Sequence, residues 1–187
     1  MSSPLAPLSY IVLAIVGEQG ASAYEIVQVA ERAQRLYWAG AASKLYAEPK
    51  RLAERGYLQS ELQPGKPRPR PYYTLTLKGR DALEQWLAEP STFPRIQNEA
   101  AIRIFAANLA PDDRALDSVR AMRDDLGDLL AALDTRDERP PVFPQRQRNV
   151  ALMRSLARRL LQAHLDWIED VERELQPKRA RRTAGGP

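Results

Sequence analysis

The chain has 187 residues, 44% of them hydrophobic, and a formal net charge of +4, which allows one domain or two small ones with a real core. It contains no cysteine and one histidine, His164, which excludes a disulfide framework, a thiolate metal site and the His-rich zinc patterns. The early apolar run Ile11–Val16 is too short for a bilayer and no Lys or Arg precedes it, so a soluble cytoplasmic protein with no membrane partner is expected.

Leu8, Ile11, Val12, Ile15 and Val16 recur at helical spacing, with Pro7 suited to the first turn and Gly17 and Gly20 to the end. Ser22 and Glu25 form a capping-box pattern for a second helix, whose apolar face is Ile26, Val29, Ala30 and Ala33 and which fades near Gln34–Gly40. A third helix is expected from a cap at Ser43 to Gly56, with Leu45, Pro49 and Leu52 as its seam. A proline inside a helix costs about 3 kcal/mol or bends it. Either a continuous helix bent at Pro49 or a restart at Glu48–Pro49 would answer; the shared face of the three seam residues favours the bent helix.

Two short β-like runs follow, Tyr57–Leu62 and Tyr72–Thr76, with Leu58, Ser60 and Leu62 on one face of the first and Tyr73 and Leu75 on one face of the second. The loop between them, Gln63–Pro71, holds four prolines, the cations Lys66, Arg68 and Arg70, and no acid. It cannot pair along its length and should project into solvent. Thr76 is placed to cap a fourth helix with Ala82, Leu83, Trp86 and Leu87 inward, and Pro90–Pro94 marks a domain boundary.

The rest reads as helix. Ile102, Phe105 and Leu109 mark one segment; Pro111 opens the next, with Asp112 and Asp113 in its first turn. Val119, Met122, Leu126, Leu129 and Leu133 step by three and four, and the last helix repeats the pattern at Val150, Met153, Ala157, Leu160, His164, Trp167 and Val171. The turn Thr135–Pro144 makes these a hairpin. Two helices form a thin core, so their other apolar faces call for cover from the first helix or from a second copy of the chain. The expected fold is mainly α with a small β-hairpin: a winged helix-turn-helix domain over residues 1–90, a coiled-coil-like helical dimerisation region over 96–176, and a disordered basic tail over 177–187.

Charge alternates along the chain: 12 Lys+Arg against 9 Asp+Glu in residues 1–95, 12 against 15 in 96–177, and four cations with no acid after that. The basic N-terminal part suits a polyanion. A helix beside a basic ribbon suits duplex DNA, with the helix in the major groove and the ribbon tip on phosphates. Ser43 and Lys44, in the first turn, are candidates for base edges; Tyr46, Lys50 and Arg51 for the sugar–phosphate backbone; Lys66, Arg68 and Arg70 for phosphates at the wing tip; and Tyr24 for phosphate through its hydroxyl. Trp38 and Trp86 are candidates to line an effector pocket, although the helical spacing of Trp86 suits core or interface as well. His164 falls on a helix seam, where a packed, hydrogen-bonded imidazole is the ordinary outcome. Asp124, Asp125 and Asp128 read as a solvated face, and Lys178–Arg182 as either a solubilising tail or an aid to nonspecific DNA affinity. Without a glycine-rich phosphate loop, nucleophile elbow or metal cluster, neither enzyme chemistry nor a cofactor or metal is expected.

The stretches L-Y-A-E-P-K-R-L-A-E-R-G-Y-L (Leu45–Leu58) and R-P-Y-Y-T-L-T-L-K-G-R (Arg70–Arg80), with Tyr24-Glu25 before them, resemble the PadR family of bacterial transcriptional regulators. Asn98–Leu109 and His164–Leu175 are similar to that family's C-terminal dimerisation region. The chain departs from the family pattern at Ala23, where glycine is usual, and at Pro49, where leucine is common. The resemblance implies a nucleoid-associated homodimeric repressor on a palindromic DNA operator, released by a small molecule or another signal. The competing reading is a winged-helix module that binds another protein without specific DNA binding.

Overall fold

The computed structural model describes residues 5–37, 42–64, 69–94, 96–109, 114–137 and 144–175. The chain divides into two compact units between Phe93 and Pro94.

In the first unit, α1 (Pro7–Val16) starts on proline and ends where the Gly17 N–H donates to the Leu13 carbonyl at 2.9 Å. It buries Val12, Leu13, Ile15 and Val16. A two-residue strand β1 (Ala21–Ser22) leads into α2 (Ala23–Tyr37). The expected capping box is present: the Ser22 N–H donates to Glu25 Oε2 at 2.8 Å, and the Glu25 N–H to Ser22 Oγ at 3.3 Å. The buried face of α2 holds Ile26, Val27 and Ala30, while Val29 is half-buried. The face is thus turned towards Val27, because α2 packs on both α1 and α3; the side chain of Ala33 lies outside the described set.

Helix α3 (Ala42–Glu54) runs unbroken through Pro49. There is no restart, and Leu45, Pro49 and Leu52 are all buried. The ring that cannot donate a hydrogen bond instead fills the core, which offsets part of its helix cost. Ser43 falls inside the first turn rather than before it. The helix closes through the Gly56 N–H to Ala53 O and the Tyr57 N–H to Leu52 O, both at 2.9 Å. Gly56 has φ +75°, the left-handed conformation this type of C-cap requires.

Strands β2 (Leu58–Gln63) and β3 (Arg70–Leu75) form the wing, in an antiparallel sheet of order β1-β3-β2. The ladder runs from Leu58↔Leu75 to Gln63↔Arg70, so Gln63, Arg70 and Pro71 belong to strands, not to the loop. Pro71 is accommodated because β1 ends opposite Tyr72, leaving β3 with an open edge there. Leu58 and Tyr73 are buried, whereas Leu62 is exposed, so only the base of the wing joins the core. Thr76 caps α4 (Leu77–Ala88), its Oγ1 accepting from the Gly79 N–H at 3.1 Å. On α4, Ala82 and Leu83 are half-buried. Trp86 stacks on Tyr10 of α1, centroids 4.8 Å apart and planes 8° apart. Contrary to expectation, Leu87 faces outward, since α1 and β3 cover only one side of α4.

The second unit contains α5 (Glu99–Phe105), a 3-10 turn (Ala107–Leu109), α6 (Arg114–Arg120), α7 (Met122–Asp137) and α8 (Gln147–Leu175). Asn98 caps α5 through the Ala101 N–H. Ala121 breaks what the periodicity suggests is one helix into α6 and α7. The core is Leu116, Val119, Leu126 and Leu133 against Ala157, Leu161, Ile168 and Val171. The seam of α8 is therefore shifted from the expected one: Met153 and Leu160 are exposed, and Leu161 and Ile168 take the core. Ile102, Phe105 and Leu109 also lie exposed. Arg158 pairs with Asp134 at one end of the α7–α8 hairpin, and Glu172 with Arg120 (3.1 Å) and Arg123 (2.9 Å) at the other. His164 lies beside the Leu160 carbonyl (Nδ1, 2.7 Å) and Asn98 Nδ2 (Nε2, 3.5 Å); a proton on Nδ1 satisfies both.

Candidate nucleic-acid interface

Helix α3 buries the side made by Leu45, Glu48, Pro49 and Leu52. At about 100° per residue, the opposite side carries Ser43, Tyr46, Ala47, Lys50 and Glu54, with Lys44 and Arg51 along one margin. Lys44, Tyr46, Ala47 and Lys50 are exposed. The Lys50 side chain is 79% exposed and 3.9 Å from Glu54, a contact too exposed to hold it firmly.

Arg51, partly exposed, also makes contacts within the protein. Its Nε donates to Glu48 Oε2 at 2.8 Å and its Nη2 to Ser9 Oγ at 3.0 Å, while Ser9 Oγ donates to Glu48 Oε1 at 2.6 Å. Ser9 is fully buried and Glu48 is 7% exposed. Burial by itself would raise the Glu48 pKa, but hydrogen bonds from Arg51 and Ser9 and the charges of Arg51 and Arg55 together hold it below the ordinary 4.5. The hydrogen bond to Glu48 in turn raises the Arg51 pKa. The pair lies within α3, and the hydrogen bonds of Ser9 to Glu48 and of Arg51 to Ser9 link it to α1.

Tyr24 at the start of α2, Tyr46 on α3, and Arg70 and Pro71 on β3 line one open groove. The Arg70 guanidinium carbon lies 6.0 Å from the Tyr24 ring centroid, the outer limit of a cation–π contact. Gln28 Nε2 donates to the Tyr24 hydroxyl at 2.5 Å. Three of the candidate residues, from three elements far apart in sequence, thus share one concave surface beside the exposed side of α3. The base of the wing is tied to the end of α3. Thr76 Oγ1 donates to the Gly56 carbonyl at 2.8 Å, and Lys78 Nζ to the Arg55 carbonyl at 2.8 Å. Lys78 also sits 4.4 Å above the Tyr57 ring.

Lys66, Arg68 and Trp38 lie outside the described residues, as do residues 177–187 and the side chain of Ser43. Ala47, exposed on the outer side of α3, and Gln28, bonded to Tyr24 one turn along α2, were not singled out from the sequence; helical spacing was the available signal. Among the described residues no cluster of His, Cys, Asp or Glu could hold a metal ion, and no helix is long and apolar enough to cross a membrane.

A three-helix unit with a capped third helix, a two-stranded wing and a groove between them defines a winged helix-turn-helix. Residues 12–85 match the transcriptional regulator PadR-like family and residues 96–176 match the virulence activator alpha C-terminal family. Over residues 12–85 the N-terminal domain is therefore similar to the PadR-like transcriptional regulators.

Solved structures share the fold at low identity. Bacillus subtilis PadR in complex with operator DNA is 20% identical, with 91% of this chain and 100% of that one covered and a TM-score of 0.78. The Vibrio cholerae virulence activator AphA is 20% identical over 90% and 97%, with a TM-score of 0.72. The PadR-like regulator BC1756 from Bacillus cereus is 16% identical over 89% and 96%, with a TM-score of 0.74. No curated protein sequence matches the chain.

Proposed function

We propose that this regulator is a homodimeric, sequence-specific DNA-binding repressor whose grip on a palindromic operator is released by a small molecule. The observation that carries the DNA reading is the groove where Tyr24, Tyr46 and Arg70 meet beside the exposed side of α3. In this arrangement α3 enters the major groove. Ser43 and Lys44 reach base edges, and Ala47, whose methyl admits close approach, packs on the groove floor. Tyr24, Lys50 and the wing residues Lys66, Arg68 and Arg70 hold phosphates on either side. Arg51, part of whose guanidinium is bonded to Glu48 and to Ser9 of α1, contacts the backbone from the margin of α3.

The dimer reading is supported by the stripe Leu152, Met153, Leu156 and Leu160 on α8 and by Ile102, Phe105 and Leu109, all uncovered in the single chain. A two-fold dimer would set its two α3 helices about 34–36 Å apart, one turn of DNA. The effector reading is supported by the relative in Bacillus subtilis, which was solved both with operator DNA and with p-coumaric acid. Trp38 and the face of Trp86 not stacked on Tyr10 are the residues assigned to the effector. The ligand would act by binding more tightly to a form that misses the successive grooves.

Selection of bound fragments from the source genome is the direct test. An enriched imperfect palindrome with half-sites one turn apart, bound with a steep salt dependence, is the expected result. Binding that is absent at low salt, or indifferent to sequence, overturns the reading in favour of a protein-binding module. A reporter fused to the recovered site then separates repression from activation, and a metabolite screen against operator affinity tests release; a screen that leaves affinity unchanged removes the effector from the account.

A further inference from the structure

We infer that Gln28 is a positioning residue for DNA binding, which turns the Tyr24 hydroxyl into an outward hydrogen-bond donor for a phosphate oxygen. The inference rests on the DNA-binding reading above and adds to it a residue one turn along α2.

A phenol offers one proton and accepts through its oxygen, whereas a phosphodiester oxygen only accepts. Tyr24 can therefore serve a phosphate only if its proton is not spent inside the protein. In the structure the Gln28 amide Nε2 donates to the Tyr24 oxygen at 2.5 Å. That bond uses the acceptor side of the hydroxyl and leaves the proton to the open side. Tyr24 is 54% exposed and lines the groove with Tyr46 and Arg70, so a ligand in that groove has access to the residue. The chain N–H···O–H···O⁻ also polarises each bond along it. The i to i+4 spacing on α2 keeps the two side chains adjacent with no need for a tertiary partner. Arg70, 6.0 Å from the same ring, supplies positive charge next to the donor.

The arrangement gives opposite expectations for two substitutions of similar size. Gln28→Lys keeps a donor towards the phenol oxygen. Gln28→Glu presents only acceptors, so the Tyr24 proton turns inward to the carboxylate. Operator affinity is measured by fluorescence anisotropy for the full chain and for Tyr24→Phe, each with Gln, Lys or Glu at position 28; circular dichroism confirms that each variant is folded. With Gln or Lys, losing the hydroxyl is expected to weaken binding about tenfold, as for a hydrogen bond to a charged group. With Glu, losing it is expected to change nothing, because the hydroxyl already serves the wrong partner. Repulsion from the added carboxylate is read separately, from Glu against Gln in the Tyr24→Phe background, and does not enter the comparison.

A Tyr24→Phe effect of equal size in all three backgrounds overturns the inference while leaving Tyr24 as a DNA contact. The reverse pattern, with the effect kept by Glu and lost with Lys, also overturns it. Absence of any Tyr24→Phe effect in the wild-type background, with operator binding intact, overturns the inference together with the placing of Tyr24 at the DNA. Absence of operator binding by the unaltered chain overturns the underlying DNA reading.

Discussion

Glu48 occupies a position where a charge is tolerable only because it is shared. It is nearly buried, and Arg51 and Ser9 complete its hydrogen bonds. Glu48→Gln keeps the shape but removes the anion, leaving Arg51 with a weaker partner. A loss of about 1–3 kcal/mol in denaturant unfolding is expected. The folded-state pKa lies below 4.5, so the folded protein holds fewer protons than the unfolded chain just under that pH. The stabilisation is therefore complete above about pH 4.5 and is lost as pH falls through the depressed value. The difference between wild type and Glu48→Gln should shrink over that acid range; a difference that is constant with pH would show that Glu48 titrates normally. Lys44 makes a contrasting case, exposed on the margin of α3. Lys44→Ala is expected to reduce discrimination between operator and random DNA more than it reduces bulk affinity, by about 1–3 kcal/mol per lost base contact. Equal losses on both DNAs, in parallel titrations, would make it a phosphate contact instead.

At the scale of elements, local chemistry was the most legible part of the sequence. The Ser22–Glu25 box, the Gly56 cap and the Thr76 cap each depend on residues within one turn, and each stands where the sequence puts it. Pro49 was also readable, because its spacing with Leu45 and Leu52 already implied a buried ring. What escaped depends on distant partners. Strand β1 is two residues long and has no periodicity of its own; it exists because β3 has a free edge at Tyr72 and Tyr73. Arg51 looks like any surface cation until Ser9, 42 residues earlier, is brought beside it. The base of the wing supplies the next prediction. A methyl group at Gly79 would run into the Tyr57 carbonyl oxygen, at the junction of α3, the wing and α4. Gly79→Ala should lower stability by about 1–3 kcal/mol, seen as a reduced melting temperature. The wing tip is tested differently: replacing Lys66, Arg68 and Arg70 by Ala together should flatten the salt dependence of DNA binding by close to one charge per phosphate lost, with the oligomeric state unchanged in sedimentation.

At the scale of the whole molecule, α8 has two apolar faces. One, through Ala157, Leu161, Ile168 and Val171, is covered by the chain's own helices; the other, through Leu152, Leu156 and Leu160, is not. Periodicity reveals that a helix is amphipathic, but cannot say which of two stripes its own chain will cover, and this is why the expected seam runs through Met153 and Leu160. If the second stripe is the dimer contact, Leu156→Asp should yield folded monomers in sedimentation and should weaken operator binding by far more than one side chain's contribution, since both half-sites must be held together. A dimer that survives the substitution would place the contact elsewhere.

The hairpin of α7 and α8 carries ion pairs of opposite sense at its two ends: Arg158 of α8 on Asp134 of α7 at one, Glu172 of α8 on Arg123 of α7, and on Arg120 of α6, at the other. Sliding one helix past the other by a turn, about 5.4 Å, would separate both sets at once. The ratchet motion by which some signalling helices carry a message is thus disfavoured here. A stimulus arriving at this hairpin is then better carried by the two rods moving as a pair than by the slip of one along the other, which would break both ionic stops together.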